Sequence, residues 1–428
     1  MTYQAFIFED YDFNRESKKL TLKYSFDSVL SFTEEYFFDF DTVGFDNQLL
    51  ERAIQALFFM AGVSYFKAYP SATIQIKKGQ LDAKAADFFG KTYQKGLGEF
   101  FYTNKLDPNT KIDFPVNIDQ FEAITEFSNN SGLLVGVGGG KDSLVSVELL
   151  RRTLDNISTW SVGHRPQLSP LVERIGLPHY WVERTWDRKL LEINKQGALN
   201  GHIPISAIIA TVGTVVAVLS GKKAVVVSNE SSANEPTLHY QGLDINHQYS
   251  KSLEFEKDYQ AYLMATVGNN IEYYSCLRPL SEVAIAELFA TTGFEKYRDV
   301  FSSCNRAFTN DSDHIFWDGT CPKCAFVFLA LTPFIERDKL ENLFSHKNLL
   351  LEPELQQTYR QLLGIEGDKP LECVGEIKES RAAMRLATKI YPELNHFVFD
   401  LPKDYTYKAL GPHSMPGDIY NLIASRQG

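Results

Sequence analysis

A chain of 428 residues, 44% hydrophobic and 23% charged, is long enough to bury a sizeable core and to divide into two or three units. Its formal net charge of −11 argues against a nucleic-acid partner, because such proteins collect phosphates on a basic face. Five cysteines, an odd number, do not read as a disulfide framework, and Met1-Thr2-Tyr3-Gln4 has neither the basic start nor the apolar core of a signal peptide, so a reduced, cytoplasmic setting is expected.

Residues 1–128 read as an N-terminal α+β domain. Strand character over 5–9, 20–25 and 36–40 is broken by the turn Asn14-Arg15-Glu16-Ser17. A helix is predicted over 47–63 from Leu49, Leu50, Ile54, Leu57 and Phe58, and a strand over 72–77. The many aromatics of this region are expected to pack in a core and between domains.

From 129 to 345 strands and helices alternate, which predicts an α/β unit with a mostly parallel sheet and helices on both faces. The strands are expected over 133–137, 159–162, 179–182 and 224–228, and the helices over 143–154, 170–175, after Pro204 and over 281–291. The uncharged run 203–219 imitates a membrane span. It is short for that purpose and contains Pro204, Ser206, Thr211, Gly213 and Thr214, so a helix buried on the sheet is predicted and no membrane partner. Residues 346–428 read as a C-terminal extension of helices and loops, with helical stretches over 356–363 and 380–387; no internal repeat is evident.

The most informative stretch is Gly136-Val137-Gly138-Gly139-Gly140-Lys141-Asp142-Ser143, at a strand-to-helix junction. Consecutive glycines there let backbone N–H groups and a helix N-terminus converge on phosphate oxygens. Lys141 supplies positive charge, Asp142 a candidate magnesium ligand and Ser143 a hydroxyl. A Walker A loop is excluded, because Asp142 stands where Ser or Thr must follow Gly-Lys and Val135 stands in place of its first glycine. The dinucleotide pattern read from Gly136 fails at Lys141. The stretch resembles the pyrophosphate (PP) loop of the N-type ATP pyrophosphatases, Ser-Gly-Gly-Lys-Asp-Ser, with Gly138 in place of the first serine. That resemblance implies an adenine nucleotide alpha hydrolase-like fold, ATP and Mg2+.

Two further segments carry chemistry. The run from Asn229 to Lys257 is dense in donors, acceptors and proton carriers, including Glu230, His239, His247, Tyr249 and Lys251, and suits a substrate-binding loop. Single histidines such as His202, His239 and His247 are more often structural, so they stand as candidates. Cys321-Pro322-Lys323-Cys324 follows Cys304 and His314; thiolates at this spacing are candidate Zn2+ ligands, as in the deazaguanine nitrile synthases among the ATP pyrophosphatases. A metal-free helix start is the competing reading, and a thiol is also a candidate proton carrier at a substrate carbon.

With Gly138-Gly139-Gly140-Lys141-Asp142-Ser143, Ser228-Asn229-Glu230, the block from Asn246-His247-Gln248-Tyr249-Ser250-Lys251 to Glu256, and Cys321-Pro322-Lys323-Cys324-Ala325-Phe326, the whole chain resembles the ATP-dependent UDP-N-acetylmuramoyl-L-alanyl-L-glutamate epimerases of bacterial peptidoglycan synthesis. The resemblance implies that the α-carboxylate of the terminal L-glutamate is adenylated before its α-proton is exchanged, with release of pyrophosphate and AMP. By position, Gly138, Gly139, Gly140 and Ser143 would hold pyrophosphate, Lys141 would offset its charge, and Asp142 would act on the metal or orient the loop. Ser161, Val162 and Gly163 would lie by adenosine, Asn229 and Glu230 near the α-phosphate, and His247, Tyr249 and Lys251 at the glutamyl end. Cys304, Cys321 and Cys324 remain candidates for zinc. A PP-loop ligase, amidotransferase or synthase with another small acceptor, and a nucleotide sensor without catalysis, are the rival readings.

Overall fold

The computed structural model describes all residues other than 1–2, 71, 127–129, 309–312 and 427–428; the boundary expected at 128 lies outside the described residues. In chain order the strands are β1 (Ala5–Asn14), β2 (Lys19–Phe26), β3 (Leu30–Asp39), β4 (Thr73–Ile76), β5 (Leu133–Gly136), β6 (Ile157–Val162), β7 (His179–Thr185), β8 (Ala224–Val227), β9 (Leu238–Tyr240), β10 (Leu243–Ile245) and β11 (Glu272–Ser275). Nine of them form one sheet in the order β11-β8-β5-β6-β7-β3-β2-β1-β4, and β9 and β10 make a separate hairpin.

The strands from β11 to β7 run parallel, as the sequence predicts for this region. The sheet as a whole is mixed, because β3 pairs antiparallel with β7 and carries β2 and β1 with it. The N-terminal strands therefore extend the parallel sheet and do not build one of their own. The join is chemical as well as geometric. Glu34 points inward from β3 and accepts from Arg184 Nε of β7 at 2.8 Å, a buried pair that the opposed register of Tyr36 and Arg184 brings together. A shift by one residue would turn Glu34 to the other face and strand Arg184.

Alternate residues along each central strand feed two cores. Leu134, Val225 and Tyr273 belong to one, with the aromatics Phe6, Phe8, Tyr24, Phe58 and Phe59, whereas Val135, Val226 and Tyr274 belong to the other. Both faces are covered, so these strands read as unbroken apolar runs. The aromatics of the N-terminal region are thus packing groups, with Tyr24 stacked on Phe58 at 5.2 Å.

The uncharged run is the helix Ile205–Ser220, which lies directly on the sheet. A Cβ at Gly213 would sit 2.7 Å from Trp160 Cζ2 and 2.8 Å from Val225 Cγ1, so the helix backbone approaches β6 and β8 as closely as a glycine allows. The predicted helix over 47–63 ends at Ala61 and is followed by the short helix Val63–Phe66. Several elements were not anticipated, among them the helices Ala83–Gly96 and Leu253–Val267 and the strand β11, whereas the helix Pro322–Leu331 starts where the competing reading of the Cys321 block put a helix start. The first turn of Leu253–Val267 takes up residues read as the end of a loop over 229–257. Ser252 caps that helix through its hydroxyl, which accepts from Phe255 N–H at 3.1 Å. The C-terminal region contributes Tyr359, Leu362, Met384 and Leu394 to the second core.

Gly213→Val should overpack this contact and cost about 1–3 kcal/mol, read as a lower urea midpoint at unchanged slope. An unchanged midpoint would mean that the helix stands off the sheet.

Candidate active site

The chain leaves β5 through Val137 to Gly140 and enters the helix Lys141–Leu150, so the glycine loop lies at the carboxyl ends of the parallel strands, where the strand order reverses between β5 and β8. Gly139 has φ +92°, and a Cβ there would lie 2.5 Å from Phe308 Cζ. A Cβ at Gly140 would lie 2.8 Å from Ser303 Oγ, whereas Gly138 has open space before it. Gly139 and Gly140 are therefore crowded by the wall behind the loop, and nothing among the described residues crowds Gly138. No side chain among the described residues caps the helix start at Gly140, which leaves the first-turn N–H groups for a ligand.

In front of the loop is a cavity of about 530 Å³, walled by Gly136 to Gly138, Gly140, Asp142 and Ser143, by Trp160 to Val162 of β6, by Val227 to Asn229 after β8, and by Lys251, Ser303, Lys323 and Cys373. Ser161 Oγ donates to Val137 O at 2.7 Å and Ser143 Oγ to Gly140 O at 3.0 Å, tying the loop to its neighbours. Ser302 N–H donates to Gly139 O at 3.0 Å. Ser303 Oγ, adjacent to Gly140, is buried and has no hydrogen-bond partner among the described residues.

Lys141 is fully buried and pairs with both Asp142 and Glu282. Burial penalises its charge, yet the two carboxylates hold its pKa above the ordinary lysine range. Burial also opposes ionisation of Asp142, but Lys141 and Lys323 outweigh it and keep that carboxyl low. Glu282 is the loser of the trio: burial pushes its pKa up despite Lys141. Glu379, whose Oε1 accepts from Glu282 N–H at 2.9 Å, is raised by burial and by neighbouring carboxylates to about 8.

Lys251, Lys323 and Cys373 form a second polar group on the same cavity wall. Lys251 Nζ lies 3.2 Å from Cys373 Sγ, and Lys323 donates to the Cys373 carbonyl. Burial alone would raise the Cys373 thiol, but Lys251, a hydrogen bond from His247 and Lys323 bring it down to about 6. His247 is paired with Glu99, and its ring lies 4.6 Å from that of His202. Burial lowers the His247 pKa, but Cys373 and Glu99 raise it to about 9. Arg278, paired with Glu256, donates to the carbonyls of Glu230 at 2.7 Å and Lys251 at 2.5 Å and so fixes both segments.

Of the residues singled out in the sequence, Gly138, Gly140, Asp142, Ser143, Ser161, Val162, Asn229 and Lys251 lie on the cavity wall. Lys141 is behind it, and Glu230 is buried beside Arg278. Gly163 has φ +64° in the turn that follows β6. Tyr249 packs into the aromatic core beside Phe255 and is not among the wall residues, and His239 is exposed and pairs with Asp244. Cys304, Cys321 and Cys324 do come together, joined by Asp318, with ligand atoms all within 4.8 Å of one another. The sequence reading gave no role to Glu282, Ser303 or Cys373; the first two sit in an ordinary helix start and loop, and the third is a cysteine without a spaced partner.

The coupling of His247 to Glu99 has a measurable consequence. A histidine with a raised folded pKa stabilises the fold fully below about 6.5 and loses that contribution as pH rises through about 9. An NMR titration of His247 should give a midpoint near 9, and Glu99→Gln should lower it. A midpoint near 6.5 in the unaltered protein would contradict the pairing.

Two family models cover most of the chain: one described as the MurL N-terminal domain matches residues 1–276, and one described as the MurL C-terminal domain matches residues 300–399. A protein of Xanthomonas oryzae pv. oryzae, named UDP-N-acetyl-alpha-D-muramoyl-L-alanyl-L-glutamate epimerase, is 40% identical over 396 residues, which is 87% of this chain and 86% of its own length. Proteins of the same name from Micromonospora sp. and Salinispora tropica are each 39% identical, over 338 and 346 residues, covering 79% of this chain in both cases and 75% and 73% of their own lengths. The glycine loop, the Lys251 segment and the Cys321 to Cys324 block all fall inside the matched regions, and the chain belongs to the UDP-N-acetyl-alpha-D-muramoyl-L-alanyl-L-glutamate epimerase family.

Proposed function

We propose that this protein inverts the α-carbon of the terminal L-glutamate of UDP-N-acetylmuramoyl-L-alanyl-L-glutamate, using ATP to adenylate its α-carboxylate. The observation that carries this reading is the single cavity whose wall carries both the glycine loop and Lys251, Lys323 and Cys373. The first half suits phosphate chemistry and the second suits a carboxylate and the proton beside it. Proximity of the two makes chemical sense. Removing an α-proton from a free carboxylate would build a dianion, whereas an acyl adenylate carries no charge at its carbonyl and its enolate forms far more readily.

In this reading a carboxylate oxygen of the substrate attacks the α-phosphorus of ATP and the bond to the bridging oxygen of pyrophosphate breaks. The first-turn N–H groups, Ser143 and Ser303 would receive the departing pyrophosphate. Lys141 acts from behind, holding Asp142 ionised and aimed at the cavity. Asp142 would hold Mg2+, which supplies charge neutralisation of the phosphates when bound. Lys251 and Lys323 would bind the substrate carboxylate and later the enolate oxygen. Exchange of the α-proton inverts the centre, and hydrolysis releases AMP and the D-glutamyl product.

Zinc belongs to the same proposal. Cys304, Cys321, Cys324 and Asp318 offer three soft donors and one hard donor at tetrahedral count, with no position left for substrate, which suits a structural site. Asp318 also accepts from Cys321 N–H at 3.0 Å, so the donors are already arranged. The segments this site would pin carry Ser303 and Lys323, both on the cavity wall. All five cysteines are unpaired, which fits the reduced, cytoplasmic compartment expected for this chemistry.

Incubation with ATP, Mg2+ and the UDP-linked substrate in heavy water should give AMP, a D-glutamyl product and deuterium at its α-carbon. AMP without deuterium would indicate a ligase or synthase, and no AMP would indicate a nucleotide sensor. Lys141→Ala should slow AMP formation by roughly 10²–10³ with an unchanged circular dichroism spectrum; normal AMP release would remove Lys141 from the scheme. Elemental analysis should find one zinc per chain, lost in Cys321→Ser, and a metal-free unaltered protein would end the zinc proposal.

A further inference from the structure

We propose that Cys373 Sγ is the group that exchanges the α-proton on one face of the glutamyl adenylate, with Lys251 and His247 as its positioning partners. The inference rests on the adenylation reading and names the acid–base group that reading requires.

The five cysteines divide by place. Cys304, Cys321 and Cys324 are held against one another, with Asp318, behind the cavity wall. Cys276 is buried, donates to Ser146 Oγ at 3.1 Å and is pushed up by burial to about 12. Cys373 alone among them reaches the cavity. The cysteine that lines the cavity thus lies away from Cys321 and Cys324, in a loop before the helix Ile377–Ala387.

That loop is fastened over the cavity at several points. Lys369 Nζ pairs with Glu235 at 2.7 Å, Asn305 donates to Glu372, and Lys323 donates to the carbonyl of Cys373 itself. A thiol needed only for packing would gain nothing from such fixing, whereas a proton carrier needs its Sγ held to within a few tenths of an ångström. The groups around it are mostly cationic: Lys251 at 3.2 Å, His247 and Lys323, with Glu372 adjacent in the chain. Lys251 in turn faces Asp142 and Glu230, and His247 faces Glu99 and His202. The arrangement holds Cys373 as an anion with an acid strength near that of the operating pH, which is the condition for efficient proton transfer.

The step balances without a redox partner. The thiolate takes the α-proton, the C–H electron pair passes into the enolate of the acyl adenylate, and Lys251 and Lys323 stand beside the growing oxyanion. A proton from solvent then adds to the opposite face, and the thiol returns its proton to water.

The test separates adenylation from inversion. The full chain and its Cys373→Ser and Cys373→Ala variants are given ATP, Mg2+ and the UDP-linked substrate in heavy water, and AMP and α-deuterium are read separately. Both variants should lose α-deuteration by about 10²–10⁴ while substrate-dependent AMP formation persists. Deuteration at the unaltered rate in Cys373→Ser would overturn the inference, and so would loss of AMP and deuterium together. Absence of AMP in the unaltered protein would overturn the adenylation reading as well. Independently of the variants, iodoacetamide should alkylate Cys373 with a midpoint near pH 6, and substrate with ATP should block it. Lys251→Met should move that midpoint toward 9, and Lys251→Arg should restore it. An unaltered protein whose Cys373 reacts only near pH 9 would contradict the assignment.

Discussion

A lysine ammonium with no access to water is stable only if carboxylates surround it, and the buried contact of Lys141 with Asp142 and Glu282 is the constraint on which the site depends. Removing either partner would leave a buried charge without compensation. The requirement spreads outward: Glu282 begins the helix Glu282–Thr292, takes its backbone contact from Glu379 on Ile377–Ala387, and lies 3.9 Å from Lys323 on Pro322–Leu331. Three helices far apart in sequence are thereby fixed to the end of β5. The glycine loop is consequently a rigid surface backed by charge, and Asp142 is the one member of the trio presented to the cavity.

The site has two chemical halves on a single wall. The half built from β5, β6 and β8 follows from parallel-sheet topology, with strand ends and a helix start converging on one crevice. The other half is assembled from loops: the turn Tyr249–Lys251, held by Arg278, and the segment around Cys373, held by Lys323 and Lys369. This division matches the order of the proposed chemistry, in which phosphate transfer must be complete before the α-carbon becomes acidic. A cavity open to both halves lets the adenylate form and react without leaving.

What the sequence made legible was local. The triple glycine with Lys141, Asp142 and Ser143 announces its turn within eight residues, and apolar runs such as Ala224–Val227 mark strands buried on both faces. What escaped was set by distant partners. Cys373 is met by Lys251, 122 residues away, and no spacing in the chain announces that contact. The antiparallel join of β3 to β7 rests on Glu34 and Arg184, 150 residues apart, so the region 1–128 read as a separate α+β unit. The helix Leu253–Val267 was hidden by its own surface, where Glu254 and Asp258 serve as partners for Lys91 and gave the segment a loop-like polarity. Conversely Tyr249, prominent for its phenol, turns inward to the aromatic core.

The central claim is that the loop from Gly138 to Ser143 holds the phosphates of ATP while a carboxylate is adenylated. A crystal structure with Mg2+ and a non-hydrolysable ATP analogue tests it most directly. The account predicts the β- and γ-phosphates against the N–H groups of Gly139 to Ser143, with the metal on Asp142 and the α-phosphate turned toward Lys251. A triphosphate bound elsewhere, with the loop empty, would contradict it.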